Sequence, residues 1–207
     1  MTPSLPLPLP SLEPHERGRP LELSVVVPVF QEEESLPLLV SEVRAALTEA
    51  HLSYELICVD DGSRDASLKV LRALAQEDPA LVVVSFRRNF GQTAAMQAGL
   101  DLARGRAVAF LDADLQNDPA DLPMMWRRLR DEDDPADMVV GWRYQRQDAL
   151  LNRRLPSIIA NKLIGRVTGV RLHDYGCSLK VLDAELAQTL RLYGEMHRFI
   201  PALAHWA

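Results

Sequence analysis

Cysteine is scarce in this sequence. Only Cys58 and Cys177 occur in 207 residues, and neither stands in a metal-ligand spacing. A disulfide scaffold is therefore excluded, and both are expected as reduced thiols in a cytosol-facing protein. No run approaches eighteen consecutive apolar residues, so these residues contain no membrane-spanning helix. The start lacks basic residues, which argues against a secretory signal. Neither G-x-G-x-x-G nor G-x-x-x-x-G-K-[ST] is present, so neither a dinucleotide fold of that fingerprint nor a P-loop is indicated. Proline is plentiful at one end only: six of fourteen prolines fall in residues 1–20, "MTPSLPLPLPSLEPHERGRP". Alternating prolines prevent a helical core there, and this segment is expected to be extended and disordered.

At 47% hydrophobic and 25% charged, the remainder has the composition of a soluble globular domain. Four short β-branched runs stand out: residues 23–29, 55–59, 81–86 and 106–111. Their nearly continuous apolar character is that of strands buried on both faces. Helical patterns fall between them. The first follows Leu36, Leu39, Val40, Val43 and Leu47 with Ser35 as N-cap. The second follows Leu68, Leu71 and Ala75 with Asp65 as cap, and the third is stopped by Gly105. A helix around Leu122 to Leu129 precedes a fifth strand at 137–141. A long helix near Leu155 to Val167, a strand "SLKV" and a helix from Asp183 follow. Strands alternating with helices predict an α/β fold: a mostly parallel sheet flanked by helices, in a single domain over residues 21–207.

The net charge of −6 conceals an asymmetry. Residues 1–140 sum to −11 and residues 141–207 to +5. Between Gly141 and Arg171 seven basic residues accompany one acid, Asp148. An anionic partner is expected for this segment. The segment has few aromatics to stack bases, so nucleic acid is not the expected partner.

In open α/β sheets ligands bind at the carboxyl ends of the strands. Polar clusters fall at four such ends: "PVFQEE", "DDGS", "RRNFGQ" and "DADLQ". Asp112 and Asp114 are two apart and so point to one side of extended chain. Paired carboxylates without His or Cys favour a hard cation, Mg2+ or Mn2+, whose shell is completed by water and phosphate oxygens. Gln116 continues the series. Asp60 or Asp61 can accept from a base edge or ribose hydroxyls. His173 and His197 lack metal spacing and are expected to be structural.

Taken together, "SVVVPVFQEEESLPLLV", "VDDGSRD", "RRNFGQTAAMQAGLDLARG", "LDADLQNDPADLP", "GWRYQRQD" and "HDYGCSLKV…RLYGEMHRFIPAL" resemble family 2 glycosyltransferases. The group most resembled is the polyprenyl-phosphate glycosyltransferases. The resemblance implies a GT-A, Rossmann-like fold and inverting transfer from a UDP- or GDP-linked sugar to a polyprenyl phosphate. It implies that Pro28, Phe30, Glu32, Asp60, Asp61 and Asp112 hold the nucleotide. Asp112, Asp114 and Gln116 would surround the metal. Arg143, Arg153 and Arg154 would meet the acceptor phosphate, with Asp114 and Arg143 catalytic. Work at the cytoplasmic face of a membrane is also implied. Relatives continue beyond the position of Ala207 with a basic segment and membrane-associated helices, so part of the family domain is expected to lie outside these residues. Three alternatives stay open: a hydroxyl acceptor with Asp174 as base, a nucleotide-sugar-binding module without turnover, and a nucleotidyltransferase.

Overall fold

The computed structural model describes residues 20–142, 170, 172 and 174–207. The proline-rich residues 1–19, the expected helix near 155–167, Arg143, Arg153, Arg154 and His173 lie outside them.

The first strand, β1, spans Leu23–Val29 and leads to helix α1, Leu36–Glu49. β2 (Tyr54–Asp60), α2 (Ser67–Glu77), β3 (Leu81–Ser85), α3 (Gln92–Leu102) and β4 (Ala107–Phe110) repeat the alternation. A 3-10 turn at Pro119–Asp121 runs into α4, Leu122–Leu129, which precedes β5, Met138–Val140. β6 (Lys180–Asp183), α5 (Ala184–Thr189), a 3-10 turn at Met196–Phe199 and α6 (Ile200–Trp206) complete the described chain. The sheet order is β3-β2-β1-β4-β6-β5. β1 to β4 are mutually parallel, whereas β6 runs antiparallel to both β4 and β5. The sheet is thus mixed, with a parallel core.

Strand alternation explains the continuous apolar runs. Val25, Val27 and Val29 join Leu36, Leu39, Val43 and Leu47 of α1 on one face. Val26, Ile57 and Val59 join Ala95, Met96 and Leu100 of α3 on the other. Each fully buried side chain of this size contributes about 1.5–3 kcal/mol.

Several local expectations need correction. Gly105 does not stop α3: the helix ends at Leu102, and Ala103 is already extended. Gly105 is needed because a Cβ there would meet the backbone N of Ser24 at 2.6 Å. Ser35 occupies the N-cap position of α1, but its hydroxyl donates to Glu32 and not to the helix. Asp65 stands one residue before the N-cap, Ala66, where its carboxylate accepts from Ser67 N at 3.1 Å. Leu71 is the buried leucine of α2, while Leu68 is only partly covered. The strand expected at "SLKV" begins two residues later, at Lys180, and Asp183 caps α5 by accepting from Glu185 N at 2.8 Å.

Candidate functional site

The carboxyl ends of β1, β2 and β4, with the loop after β3, converge on one edge of the sheet. Two adjoining clefts lie there. One is lined by Pro28, Phe30, Glu32, Asp61, Asn89, Gly91, Gln92, Asp112, Ala113 and Asp114. The other is lined by Phe30, Gln31, Asp60, Gly62, Ser63, Arg64, Leu68, Ser85, Phe86, Arg87, Arg88 and Asn89. Phe30 and Asn89 are common to both. The neighbouring carboxylates of "DDGS" therefore serve different clefts.

Asp61 is buried at 2% exposure. Its oxygens accept from the backbone N–H groups of Phe90 at 2.7 Å and Gly91 at 2.9 Å. It thereby ties the loop after β3 to the end of β2. Asp60 accepts from Ser63 N at 3.2 Å and from the Ser85 hydroxyl at 3.2 Å. Gly62 has φ +70°, and a Cβ there would meet the Arg88 carbonyl carbon at 2.4 Å. Only glycine satisfies both the left-handed backbone and that approach. The Arg88 guanidinium lies 4.8 Å from the Phe90 ring centroid, and Phe86 meets Phe90 edge-on at 5.5 Å.

The loop after β1 is held from the β2–α2 loop and from the start of α2. Gln31, at φ 60°, donates its N–H to Ser63 Oγ at 3.0 Å, and Glu32 N donates to Ser67 Oγ at 2.8 Å. Phe30 is 42% exposed, presenting its ring at the boundary of the two clefts.

β4 ends at Phe110, so Asp112 and Asp114 lie beyond it, and the chain turns between them. Asp112 is half-buried and accepts from Gln92 Nε2 at 2.8 Å. Burial pushes its carboxyl upward, and the Asp114 charge adds to this, against hydrogen bonding from Ser178 and the charges of Lys180 and His197. Asp114 is exposed, and its carboxylate accepts from Gln116 N at 3.1 Å. Leu115 has φ 59°, so the extended alternation breaks before Gln116, whose side chain is exposed. A half-buried acid with a neighbouring acid, both lining one cleft, is a donor set that a hard divalent cation fits. Such an ion takes one or two carboxylates and fills its shell with phosphate oxygens and water. Among the described residues no group of three or more His, Cys, Asp or Glu gathers that could hold a metal ion.

Three residues near Asp112 were given no role at this site from the sequence. Lys180 is buried at 3% exposure, and its ammonium donates to the Cys177 carbonyl. Ser178 hydrogen-bonds Asn117 at 2.8 Å. His197 Nδ1 meets Thr93 Oγ1 at 2.7 Å. Burial lowers the His197 pKa, and its electrostatic neighbours are Glu195, Arg198, Lys180 and Asp112. Antiparallel β6, inserted beside β4, brings Lys180 opposite Phe110. Asp174 is buried and accepts from Gly176 N at 3.0 Å within its own turn. The expected acceptor-phosphate residues Arg143, Arg153 and Arg154 lie outside the described residues.

No helix among the described residues is long and apolar enough to cross a membrane. Residues 24–191 match the family described as glycosyl transferase family 2. The chain is 55% identical over 183 residues to a dodecaprenyl-phosphate galacturonate synthase from Rhizobium johnstonii, covering 88% of this chain and 54% of that protein. It is 43% identical over 188 residues to an undecaprenyl-phosphate 4-deoxy-4-formamido-L-arabinose transferase from Pseudomonas aeruginosa, covering 90% and 54%. The chain thus spans about half the length of these curated relatives. Among solved structures, a mannosyltransferase from Pyrobaculum calidifontis in complex with GDP-Man and Mn2+ superposes with TM-score 0.60 at 20% identity, covering 89% of this chain and 50% of that one. Glucosyl-3-phosphoglycerate synthase from Mycobacterium tuberculosis with Mn2+ and UDP-glucose gives 0.63 at 20% identity, covering 83% and 59%. These likenesses establish the GT-A fold. By its matched span and its relatives, the chain belongs to glycosyl transferase family 2.

Proposed function

We propose that this chain is the nucleotide-sugar domain of a metal-dependent, inverting glycosyltransferase that moves a sugar from a nucleoside diphosphate to a polyprenyl phosphate. The observation that carries the reading is the shared cleft of Asp112, Asp114, Phe30 and Asp61 at the carboxyl ends of parallel strands. The polyprenyl phosphate is taken from the names of the curated relatives, and the divalent cation is supported by the Mn2+ of the structural neighbours.

In this reading the cleft of Asp60, Ser63 and Ser85 takes the nucleoside, with Phe30 at its boundary. The Asp112 and Asp114 cleft takes the diphosphate and, with it, Mg2+ or Mn2+. When bound, the ion supplies Lewis-acid neutralisation of the charge developing on the departing diphosphate. Gln92 orients the Asp112 carboxylate. The phosphate oxygen of the acceptor attacks the anomeric carbon as the bond from that carbon to the diphosphate oxygen breaks, and the nucleoside diphosphate leaves with the electron pair. A phosphate monoester has a second pKa of about 6, so the acceptor is ionised at neutral pH and requires no general base. It requires cations that gather it, and the basic residues 143–171, including Arg143, Arg153 and Arg154, supply that charge. The membrane surface is where such an acceptor resides.

The test is a transfer assay with UDP- and GDP-sugars, with and without polyprenyl phosphate. The expected result is a lipid-linked sugar formed only with the lipid present, together with one nucleoside diphosphate per transfer. Nucleotide binding without transfer would make this chain a binding module. Transfer to a hydroxyl acceptor would move the search for a base to Asp174.

A further inference from the structure

The loop after β4 and the turn leading into β6 are joined by side chains that line neither cleft. Asn117, buried at 7% exposure three residues after Asp114, reaches across to that turn. Its Nδ2 donates to Ser178 Oγ at 2.8 Å, and its Oδ1 accepts from Cys177 Sγ at 3.3 Å. A thiol donor requires the carbonyl end of the amide, so the NH2 end faces Ser178. Lys180 fastens the same turn from β6, its buried ammonium donating to the Cys177 carbonyl.

A serine hydroxyl carries one proton and two lone pairs. Asn117 occupies a lone pair of Ser178, so the Ser178 proton points elsewhere, and the Asp112 carboxylate is the acceptor beside it. Asp112 Oδ1 also accepts from Gln92 Nε2 at 2.8 Å. Asp112 is therefore gripped both from α3 and from the turn before β6. Asp114 is exposed and accepts from Gln116 N within its own turn. One carboxylate of the pair is fixed by distant parts of the chain, and the other is free to adapt.

We infer that Ser178 is a positioning residue for the cation proposed at Asp112 and Asp114, a role that rests on that metal reading. Held as a donor by Asn117, its hydroxyl fixes the direction of the Asp112 carboxylate before the ion arrives. Cys177 and Lys180 hold the turn that carries it. A ligand already aimed loses less freedom when the metal binds. Removing such an outer hydrogen bond typically costs about ten- to a hundredfold in metal affinity.

Calorimetry of UDP and GDP with the full chain, in Mn2+ and in EDTA, gives the gain in affinity that the ion supplies. The ratio is taken within each variant, so a general loosening of the cleft cancels. Melting temperatures in EDTA show which variants are folded. Ser178→Ala should cut the gain about ten- to a hundredfold, or to nothing where the parent gain is smaller. Ser178→Thr keeps the hydroxyl and should restore most of it. Asn117→Leu leaves the hydroxyl in place but releases its proton, and should cut the gain by less; it decides the matter if Ser178→Ala does not fold. A gain kept in full by the folded Ser178→Ala, or by Asn117→Leu in its stead, overturns the inference and leaves the metal reading standing. A gain in Ser178→Thr as low as in Ser178→Ala also overturns it, because the effect would then come from packing and not from the hydroxyl. No gain in the parent would remove the metal reading and the role of Ser178 with it.

Discussion

Thr93 Oγ1 and His197 Nδ1 lie 2.7 Å apart, although 104 residues separate them in the chain. Thr93 is buried in the first turn of α3 and His197 stands in the 3-10 turn before α6, so this contact fastens the end of the described chain to the sheet edge that carries the clefts. Burial lowers the His197 pKa below its usual 6.5. A histidine depressed in the folded state stabilises the fold above pH 6.5 and loses that contribution as pH falls through its folded value. Stability should therefore rise with pH in the range just below 6.5, and His197→Gln should flatten that slope. Urea midpoints across this range check it; an unchanged slope contradicts it. Thr93→Val should cost about 1 kcal/mol through the lost hydrogen bond.

Asp112 has the opposite linkage. Its carboxyl is raised above 3.8, so its contribution is present below that pH and is lost as pH rises through the folded value. With chelator present at neutral pH, Asp112→Asn should raise the melting temperature, and the gain should disappear near pH 3.8. Added Mn2+ should stabilise the parent and not the variant. A variant that melts below the parent at neutral pH in chelator contradicts this.

Asp61 should behave as the fastening of a loop. Asp61→Asn places an amide NH2 against one of two backbone donors, Phe90 N–H or Gly91 N–H, that the carboxylate now satisfies. Losing a charge-assisted bond and leaving a donor unpaired costs roughly 2–3 kcal/mol. Chemical denaturation should register that loss. Amide exchange should quicken at Phe90 and Gly91 first. Unchanged stability would mean the loop is fixed from elsewhere.

The cysteines should be inert in the native protein. Cys58 is fully buried and its thiol is pushed up to about 12, so almost no thiolate exists at neutral pH. Cys177 is buried beside Asn117. A thiol reagent should find no reactive group in the native state and two after denaturation.

What could be read from the sequence follows from which contacts are local. β1 falls at residues 23–29 as expected, because burial on both faces leaves an unbroken apolar run. Asp112 and Asp114 stand out in the sequence because a charge pair at the end of such a run has no packing reason to be there. The approach of Lys180 and His197 to Asp112 was not legible. They approach Asp112 only because β6 enters antiparallel beside β4, and strand order is a long-range property. Gly105 resembles a helix stop, yet the demand for it comes from Ser24, eighty-one residues earlier in sequence. The separate duties of Asp60 and Asp61 follow from the loop after β3, which the sequence alone does not position.

The central claim is that Asp112 and Asp114 form the protein's share of a metal–diphosphate site. Calorimetric titration of UDP and GDP, with Mn2+ or Mg2+ and then with EDTA, tests it most directly. The account predicts that at least one nucleotide binds more tightly with the ion, and that Asp114→Asn abolishes the difference. The same affinity with ion and with EDTA, in the parent chain, would contradict it.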